Sequence, residues 1–133
     1  QELFVDAEKK GPLTDKAYRD AVRVVARFRA TLDSLMQRHK LDAIVAPTGS
    51  PPWIVDHVLG DHFLGASSTA AAVVGYPNIT VPMGFDFGLP VGVSFFGRAW
   101  SEPTLLRLAY SYEQKTHHRR PPRFLPTADL TAR

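Results

Sequence analysis

Residues 70–102, AAAVVGYPNITVPMGFDFGLPVGVSFFGRAWSE, decide the fold. Residues 78–82 (NITVP) and 91–97 (VGVSFFG) are short runs rich in β-branched and aromatic side chains, which predict two strands. The segment between them, MGFDFGLP at 83–90, carries glycine and proline where a turn needs them. This stretch therefore predicts two strands joined by a turn-forming link.

A short helix of small residues precedes these two strands. It covers residues 66–75, ASSTAAAVVG, and either Ser67 or Ser68 is the expected N-cap. Gly75 ends the helix and Pro77 prevents its continuation. Small side chains allow such a helix to lie close against another element.

Two longer amphipathic helices flank this central stretch. The upstream helix is expected to begin at Thr14 as N-cap, and the downstream helix at Ser101. Apolar residues recur at steps of three and four in both, which predicts one buried stripe on each helix. The upstream stripe comprises Tyr18, Ala21, Val22, Val25, Phe28, Leu32, Leu35 and Met36, and the downstream stripe comprises Leu105, Leu106, Leu108, Ala109 and Tyr112. An upstream helix of about 25 residues would be about 37 Å long, so we expect a sheet or a larger body beneath it.

A further strand and a long loop lie between the upstream helix and the short helix. Residues 43–46 (AIVA) are apolar without interruption, which predicts a strand buried on both faces, as in the centre of a sheet. The order helix, strand, loop, helix, strand, strand, helix predicts an α/β fold with a mixed or parallel sheet and at least one open edge. Trp53 lies in the loop just past the first strand, where it lines a ligand pocket or caps the core.

Composition excludes several classes of function. The 133 residues fit one domain with one core, and 44 % of them are apolar, so disorder is not expected. The absence of cysteine excludes disulfides, thiol catalysis and thiolate metal sites. No apolar run approaches the ~20 residues that cross a bilayer, and residues 1–10 lack a signal-peptide pattern. We therefore expect a cytoplasmic protein with no membrane partner.

The C-terminal end concentrates the positive charge of a chain whose net charge is +3. Its basic residues lack the interleaved aromatics or motifs of a nucleic-acid-binding module, and a charge block is usually a solvated surface, so no nucleic acid partner is expected. Residues 127–133 are polar and are expected to form a frayed tail.

The serine and histidine residues of this chain do not have the spacing of known catalytic or metal-binding motifs. Residues 65–69 (GASST) depart from the G-x-S-x-G pattern of a serine nucleophile and follow a loop, so a helix cap is the better interpretation. His57 and His62 are five residues apart in a segment broken by glycine and proline, which does not match the i, i+4 spacing of a helical zinc site. We therefore expect no catalytic residue, metal or cofactor within this chain.

Several segments together resemble the C-terminal part of the amidase signature family. The resemblance runs in order through residues 13–126. It is carried by DAIVAPT (42–48), AAAVVGYPNITVPMG (70–84), GLPVGVSFFGRAWSE (88–102), LLRLAYSYEQKT (105–116) and RRPP (119–122). It implies part of a mixed β-sheet flanked by helices, with residues 1–133 as one segment of a larger domain. The implied activity is hydrolysis of a carboxamide C–N bond.

The resemblance also implies where the catalytic groups lie. The family uses a Ser–cis-Ser–Lys triad located in, and upstream of, a Gly/Ser-rich signature. No Gly-Gly-Ser-Ser-Gly-Gly run occurs in this chain, so it is expected to begin after the catalytic half and to require that N-terminal part as its partner. Segments matching 47–54 and 65–68 lie near the substrate in the family, which makes Trp53, Ser67 and Ser68 the candidate contacts to a small amide.

The branch of the family and the alternative functions also follow from these residues. Glutamyl-tRNA amidotransferases carry an acidic residue just before the small-residue helix, whereas Gly65, Ala66 and Ser67 stand here. A general or peptide-amidase-like enzyme is therefore preferred. The alternatives are a non-catalytic module that self-associates through an open sheet edge, and an independent hydrolase that uses residues 65–69. Apolar surface left uncovered would also favour homo-oligomers.

Overall fold

A computed structural model describes residues 1–124 and 126 of the chain. The predicted α/β class is confirmed, whereas the predicted tail at 127–133 lies outside the described residues. The elements in chain order are α1 (Glu2–Glu8), α2 (Lys16–Arg38), β1 (Ile44–Pro47), α3 (Ser68–Val74), β2 (Asn78–Asp86), β3 (Leu89–Phe96) and α4 (Glu102–Thr116). Among these residues, no helix combines the length and the apolarity that crossing a membrane requires.

The three strands form a sheet in the order β1-β3-β2. Both pairings are antiparallel, so the expected mixed or parallel strand directions are not found in the described residues. The physical reason is the link between β2 and β3, which has only two residues between the paired Asp86 and Leu89. Phe87 and Gly88 both have positive φ angles, 47° and 76°, as a two-residue type I′ hairpin turn requires. A turn this short returns the chain directly beside β2, whereas a parallel pair needs a long crossover.

Strand β1 is an edge strand, which corrects the prediction of a central strand buried on both faces. Among the described residues it pairs only with β3, and its own residues alternate between half-buried and exposed. Val45 is 58 % exposed and Pro47 is also exposed, while Ile44 packs against the core. The apolar run identified the strand but carried no information on what covers its second face. An open sheet edge, as predicted, lies along β1.

One face of the sheet packs against α4. Val81 and Val93 of the hairpin are buried there together with Ala109 of α4. Phe95 and Tyr112 extend this contact with an edge-to-face ring pair whose centroids are 5.9 Å apart. The apolar stripe predicted for α4 therefore does face the sheet at Ala109 and Tyr112.

The opposite face of the sheet is covered by α3 and by the end of α2. The buried residues of this cluster are Leu32, Met36, Ala71, Val74 and Phe96. Two polar contacts join α2 to the C-terminal end of α3: the Arg29 guanidinium donates to the Val74 carbonyl at 2.8 Å, and the Tyr76 hydroxyl donates to Asp33 Oδ1 at 2.7 Å. Gly75 ends α3, as predicted, and has the left-handed conformation with φ of 70°.

Most of the stripe predicted on α2 lies exposed. Of its eight residues only Leu32 and Met36 are buried, whereas Tyr18, Val22, Phe28 and Leu35 are between 39 and 48 % exposed. The N-cap is Asp15 rather than Thr14, because a turn closed from the Asp15 amide to the Pro12 carbonyl leaves Asp15 in the extended conformation of a cap. Helix α1, which the sequence did not predict, has no buried residue.

Candidate functional site

The candidate site lies where the loop between β1 and α3 leaves and rejoins the sheet. The Thr48 amide donates to the Gly92 carbonyl at 2.8 Å, and the Ser67 amide donates to the Thr48 carbonyl at 3.1 Å. Next to these bonds, Ser50 donates its amide to the Gly65 carbonyl at 3.2 Å. Both ends of the loop are therefore fixed by backbone hydrogen bonds.

Three hydroxyls from three strand segments meet at the base of this loop and form what we term the hydroxyl cluster: Thr48, Thr80 and Ser94. Ser94 Oγ lies 2.9 Å from Thr48 Oγ1 and 2.8 Å from Thr80 Oγ1, and the two threonine oxygens are 3.5 Å apart. Ser94 is fully buried and is the one buried polar side chain in the described part of the chain. Its burial is tolerable because both neighbouring hydroxyls satisfy it.

The hydroxyl cluster was not predicted from the sequence. Thr80 and Ser94 stand opposite each other in the register of β2 and β3. Alternation along β3 puts Ser94 on the same face as Gly92 and Phe96, which is visible in the sequence. The pairing partner was not visible, because the register depends on the hairpin turn and the two ends of that turn were not predicted.

Gly92 makes room for the hydroxyl cluster. A Cβ atom at this position would lie 2.8 Å from Thr48 Oγ1 and 2.9 Å from Thr80 Cγ2, closer than van der Waals contact permits. Any larger residue would displace one of the two threonines. The absence of a side chain at Gly92 therefore leaves the space that the two threonine side chains occupy.

Of the three predicted contact residues, Ser67 is bonded to the backbone of a cluster residue, Thr48. Ser67 is the N-cap of α3, and its Oγ donates to the Thr48 carbonyl at 3.4 Å, a long hydrogen bond. Ser68 follows as the first helical residue and is exposed. Because the Ser67 hydroxyl is directed to a backbone carbonyl and not to a general base, the arrangement does not favour an independent serine hydrolase.

Trp53 is held inside the loop by its neighbours. The indole Nε1 donates to Asp61 Oδ1 at 3.3 Å, and the ring packs edge-to-face against Phe63 with centroids 6.2 Å apart. Trp53 is half-buried, whereas Phe63 remains mostly exposed. The structure thus supports neither of the two interpretations of Trp53 over the other.

A shallow cleft on the same loop contains both loop histidines. Ile54, Val55, Asp56, His57 and His62 line it. Asp56 Oδ1 accepts the amides of Leu59 and Val58, each at 2.8 Å, and these bonds lower the pKa of the Asp56 carboxyl. Across residues 1–124 and 126, no three carboxylate or imidazole groups converge as metal ligands.

A second cleft lies between α2 and the start of α4. Its lining includes Asp33, Tyr76, Arg98, Trp100 and Ser101. Burial of the Tyr76 hydroxyl raises its pKa, and the hydrogen bond and negative charge of Asp33 add to this effect. The Tyr76–Asp33 hydrogen bond joins α2 to the segment after α3 at the wall of this cleft.

Comparisons with known proteins agree on one family. The family model described as Amidase matches residues 6–106. A probable amidase of Arabidopsis thaliana is 35 % identical over 126 residues, which cover 94 % of this chain and 22 % of that relative. One of the subunits of the glutamyl-tRNA(Gln) amidotransferase of Methanosarcina barkeri is 32 % identical over 115 residues, which cover 81 % of this chain and 24 % of that relative.

Solved structures give the same result. A peptide amidase in complex with the competitive inhibitor chymostatin has a TM-score of 0.80 and 48 % identity, covering 93 % of this chain and 26 % of that one. The native peptide amidase of Stenotrophomonas maltophilia has a TM-score of 0.77 and 46 % identity, covering 93 % of this chain and 25 % of that one. The chain spans about a quarter of the length of the relatives it matches. Both the sequence resemblance and these matches lead to one conclusion: the chain belongs to the amidase family.

Proposed function

We propose that these 133 residues form the C-terminal scaffold and part of the substrate pocket of an amidase that hydrolyses carboxamide C–N bonds. The observation that carries the proposal is the match of the Amidase model to residues 6–106, within relatives about four times longer. The hydroxyl cluster and Ser67, which meet at the base of one loop, supply a polar surface that suits a pocket wall.

The bond-breaking residues lie outside these 133 residues in this proposal. The family resemblance implies that a serine attacks the carbonyl carbon of the amide, while a lysine takes the serine proton through a bridging second serine. The amine then leaves, and water releases the acid from the serine. The residues described here would bind and orient the amide, with Ser67, Ser68 and Trp53 as its contacts.

The proposed substrate is a small or peptidic amide rather than the amide that glutamyl-tRNA amidotransferases recognise. Identity is 46–48 % to the two peptide amidase structures and 32 % to the amidotransferase relative. The segment Gly65–Ser67 also lacks the carboxylate that the resemblance assigns to the amidotransferase branch. No metal, cofactor, nucleic acid or membrane takes part in the proposed reaction, and the proposed location is the cytoplasm.

The proposed partner of the chain is the N-terminal catalytic part of the same amidase. Its support is the uncovered stripe of α2, where Tyr18, Val22, Phe28 and Leu35 keep 39–48 % of their surface exposed. Apolar side chains aligned along a helix indicate a surface that is covered in the complete assembly.

An alternative is that the chain self-associates as a non-catalytic module. The open edge of β1 and the exposed stripe of α2 both favour association. Size exclusion with light scattering tests this alternative by measuring the oligomeric state of the 133 residues. A stable dimer of these residues, together with a complete protein that has no amidase activity, would favour the non-catalytic module over the amidase.

A reconstitution assay tests the proposed function. The 133 residues alone and the product of the complete reading frame that encodes them are each assayed with an aryl amide, following the released amine. We expect hydrolysis only by the complete product. Equal activity of the 133 residues alone, or a complete product without a serine–lysine centre, would overturn the proposal.

A further inference from the structure

The hydroxyl cluster contains three protons but only two short contacts. Each of the hydroxyls Thr48, Thr80 and Ser94 has one proton to donate. Two contacts, at 2.8 and 2.9 Å, both involve Ser94 and use one proton each. The third separation, 3.5 Å between Thr48 Oγ1 and Thr80 Oγ1, is longer than the roughly 2.5–3.0 Å of hydroxyl hydrogen bonds. One proton therefore remains available.

Burial of Ser94 decides which residue holds the available proton. Ser94 is fully buried, so its own proton must be donated inside the cluster, to Thr48 or to Thr80. Ser94 then accepts from the other threonine. The threonine that accepts the Ser94 proton still has its own proton available for a ligand. The threonine that donates its proton to Ser94 offers a ligand only its lone pairs. Reversal of both bonds exchanges these roles.

Within the 133 residues the two threonines are open to an incoming group. Thr80 is exposed and Thr48 is half-buried, while Gly92 places no side chain between them. Ser67 is linked to one of the two threonines, because its hydroxyl donates to the Thr48 backbone carbonyl. The cluster thus presents one donor and one acceptor 3.5 Å apart.

We propose that Thr48 and Thr80 bind the carboxamide of the substrate as a donor–acceptor pair and that Ser94 is the positioning residue that keeps them in this state. This inference rests on the proposed amidase function. A primary carboxamide presents a carbonyl acceptor and N–H donors, which complement the pair. The pair is therefore selective for the amide substrate.

The same arrangement disfavours the acid product. A carboxylate has two acceptor oxygens and no proton, so only one oxygen finds a donor. The second oxygen faces the lone pairs of the other threonine. Hydrolysis therefore converts a ligand that fits the pair into one that does not, which promotes release of the product.

Binding of a matched amide and acid tests this inference. In the complete enzyme, KM for benzamide and the inhibition constant of benzoate are measured for wild type and for Thr48→Val and Thr80→Val, which keep the shape and lose the hydroxyl. We expect KM for benzamide to rise about three- to tenfold in each variant, with the benzoate constant unchanged or lower. Thr48→Ser keeps a hydroxyl and should restore the wild-type ratio.

Two further variants separate positioning from general damage to the fold. Ser94→Ala should lower the amide-to-acid preference although its side chain is out of reach of the ligand. Thr116→Val is the matched control, because this half-buried threonine bonds only to a carbonyl of its own helix, and it should change neither constant. Equal weakening of amide and acid in the Thr48 and Thr80 variants would overturn the inference.

A complete protein without amidase activity would refute the proposed function but not this inference. The same two ligands are then titrated into isotope-labelled chain and followed by NMR. Benzamide should shift the amide signals of Gly92 and Ser67, and benzoate should not. Absence of any benzamide shift at these two residues would overturn the hydroxyl pair as a carboxamide site.

Discussion

Helices α2 and α4 are both amphipathic, yet the structure uses their apolar faces differently. Helix α4 faces the hairpin with Ala109 and Tyr112. Helix α2 is longer, 23 residues against 15, but its buried Leu32 and Met36 both lie in its last two turns. The difference shows that periodicity identifies the apolar face of a helix but not the element that covers it. The rest of α2 is apolar in pattern and has no cover among the described residues.

The largest expected effect comes from truncating core side chains at the covered part of each helix. Leu105→Ala in α4 and Met36→Ala in α2 should each lower the free energy of unfolding by about 2–5 kcal/mol, because both side chains are almost fully buried. Denaturant unfolding of the chain measures this change. Leu106→Ala is the matched control, since Leu106 is 58 % exposed and should change stability by less than about 0.5 kcal/mol. A loss at Met36 as small as that of the control would mean that even the end of α2 is not packed.

A smaller effect is expected at the junction between α3 and the sheet. Gly75→Ala should cost about 1–2 kcal/mol of unfolding free energy, because φ of 70° places Cβ against the following carbonyl oxygen. Thermal or denaturant unfolding again provides the measurement. Gly49→Ala, at a glycine without positive φ, serves as the comparison. Equal tolerance at both positions would show that α3 does not end in the left-handed conformation.

The contact between α2 and the segment after α3 should depend on pH. Tyr76→Phe removes the bond to Asp33 and should lower the unfolding free energy by about 1 kcal/mol near neutral pH. The pKa of Tyr76 is raised in the folded protein above its ordinary value of 10.0, so the folded state retains the proton to higher pH. This contribution is complete below pH 10.0 and is lost as pH rises through the raised pKa.

The variant should therefore approach the wild type in stability as the solution becomes strongly alkaline. Unfolding measured from neutral to alkaline pH checks this convergence, and Tyr110→Phe, at an exposed tyrosine, should show no such trend. A constant difference between Tyr76→Phe and the wild type across that range would contradict a proton-linked contact.

The smallest expected effect lies in the uncovered part of α2 and gives the sharpest form of the comparison. Val22→Ser should change the stability of the 133-residue chain by less than about 0.5 kcal/mol, because Val22 is already 48 % exposed. In the complete protein the same change should cost about 1 kcal/mol or more if the stripe is covered there. Unfolding of the 133-residue chain and of the complete protein measures the difference. An equally small effect in both would contradict the proposal that the N-terminal part packs against α2.

The sequence predicted the elements well where local chemistry determines them. Gly75 predicted the end of α3, and residues 78–82 and 91–97 predicted the hairpin strands, because turn preferences and side-chain type act within a few residues. The direction and position of strands were less predictable. The apolar run of β1 indicated a central strand, whereas in the part of the chain that the structure describes β1 pairs with β3 alone and is an edge strand.

The candidate site was predictable only in part for the same reason. Ser67 was named because the family resemblance places residues 65–68 near the substrate, and in the structure its hydroxyl donates to the Thr48 backbone carbonyl. Thr48, Thr80 and Ser94 come together only through the strand register, and a serine that is fully buried looks no different in sequence from one on the surface. The hydroxyl cluster could therefore not be predicted, because it depends on long-range strand pairing that no local sequence pattern indicates.

Pro47 gives the open edge of β1 a protective property. Because the Thr48 amide donates toward β3, the alternation of the strand turns the nitrogen of Pro47 away from β3, and that nitrogen has no hydrogen to donate. An additional strand arriving at this edge finds donors only at Val45 within a strand of four residues. Stacking of identical chains into a fibril, which needs an unbroken row of such donors, is therefore disfavoured at the β1 edge of the sheet.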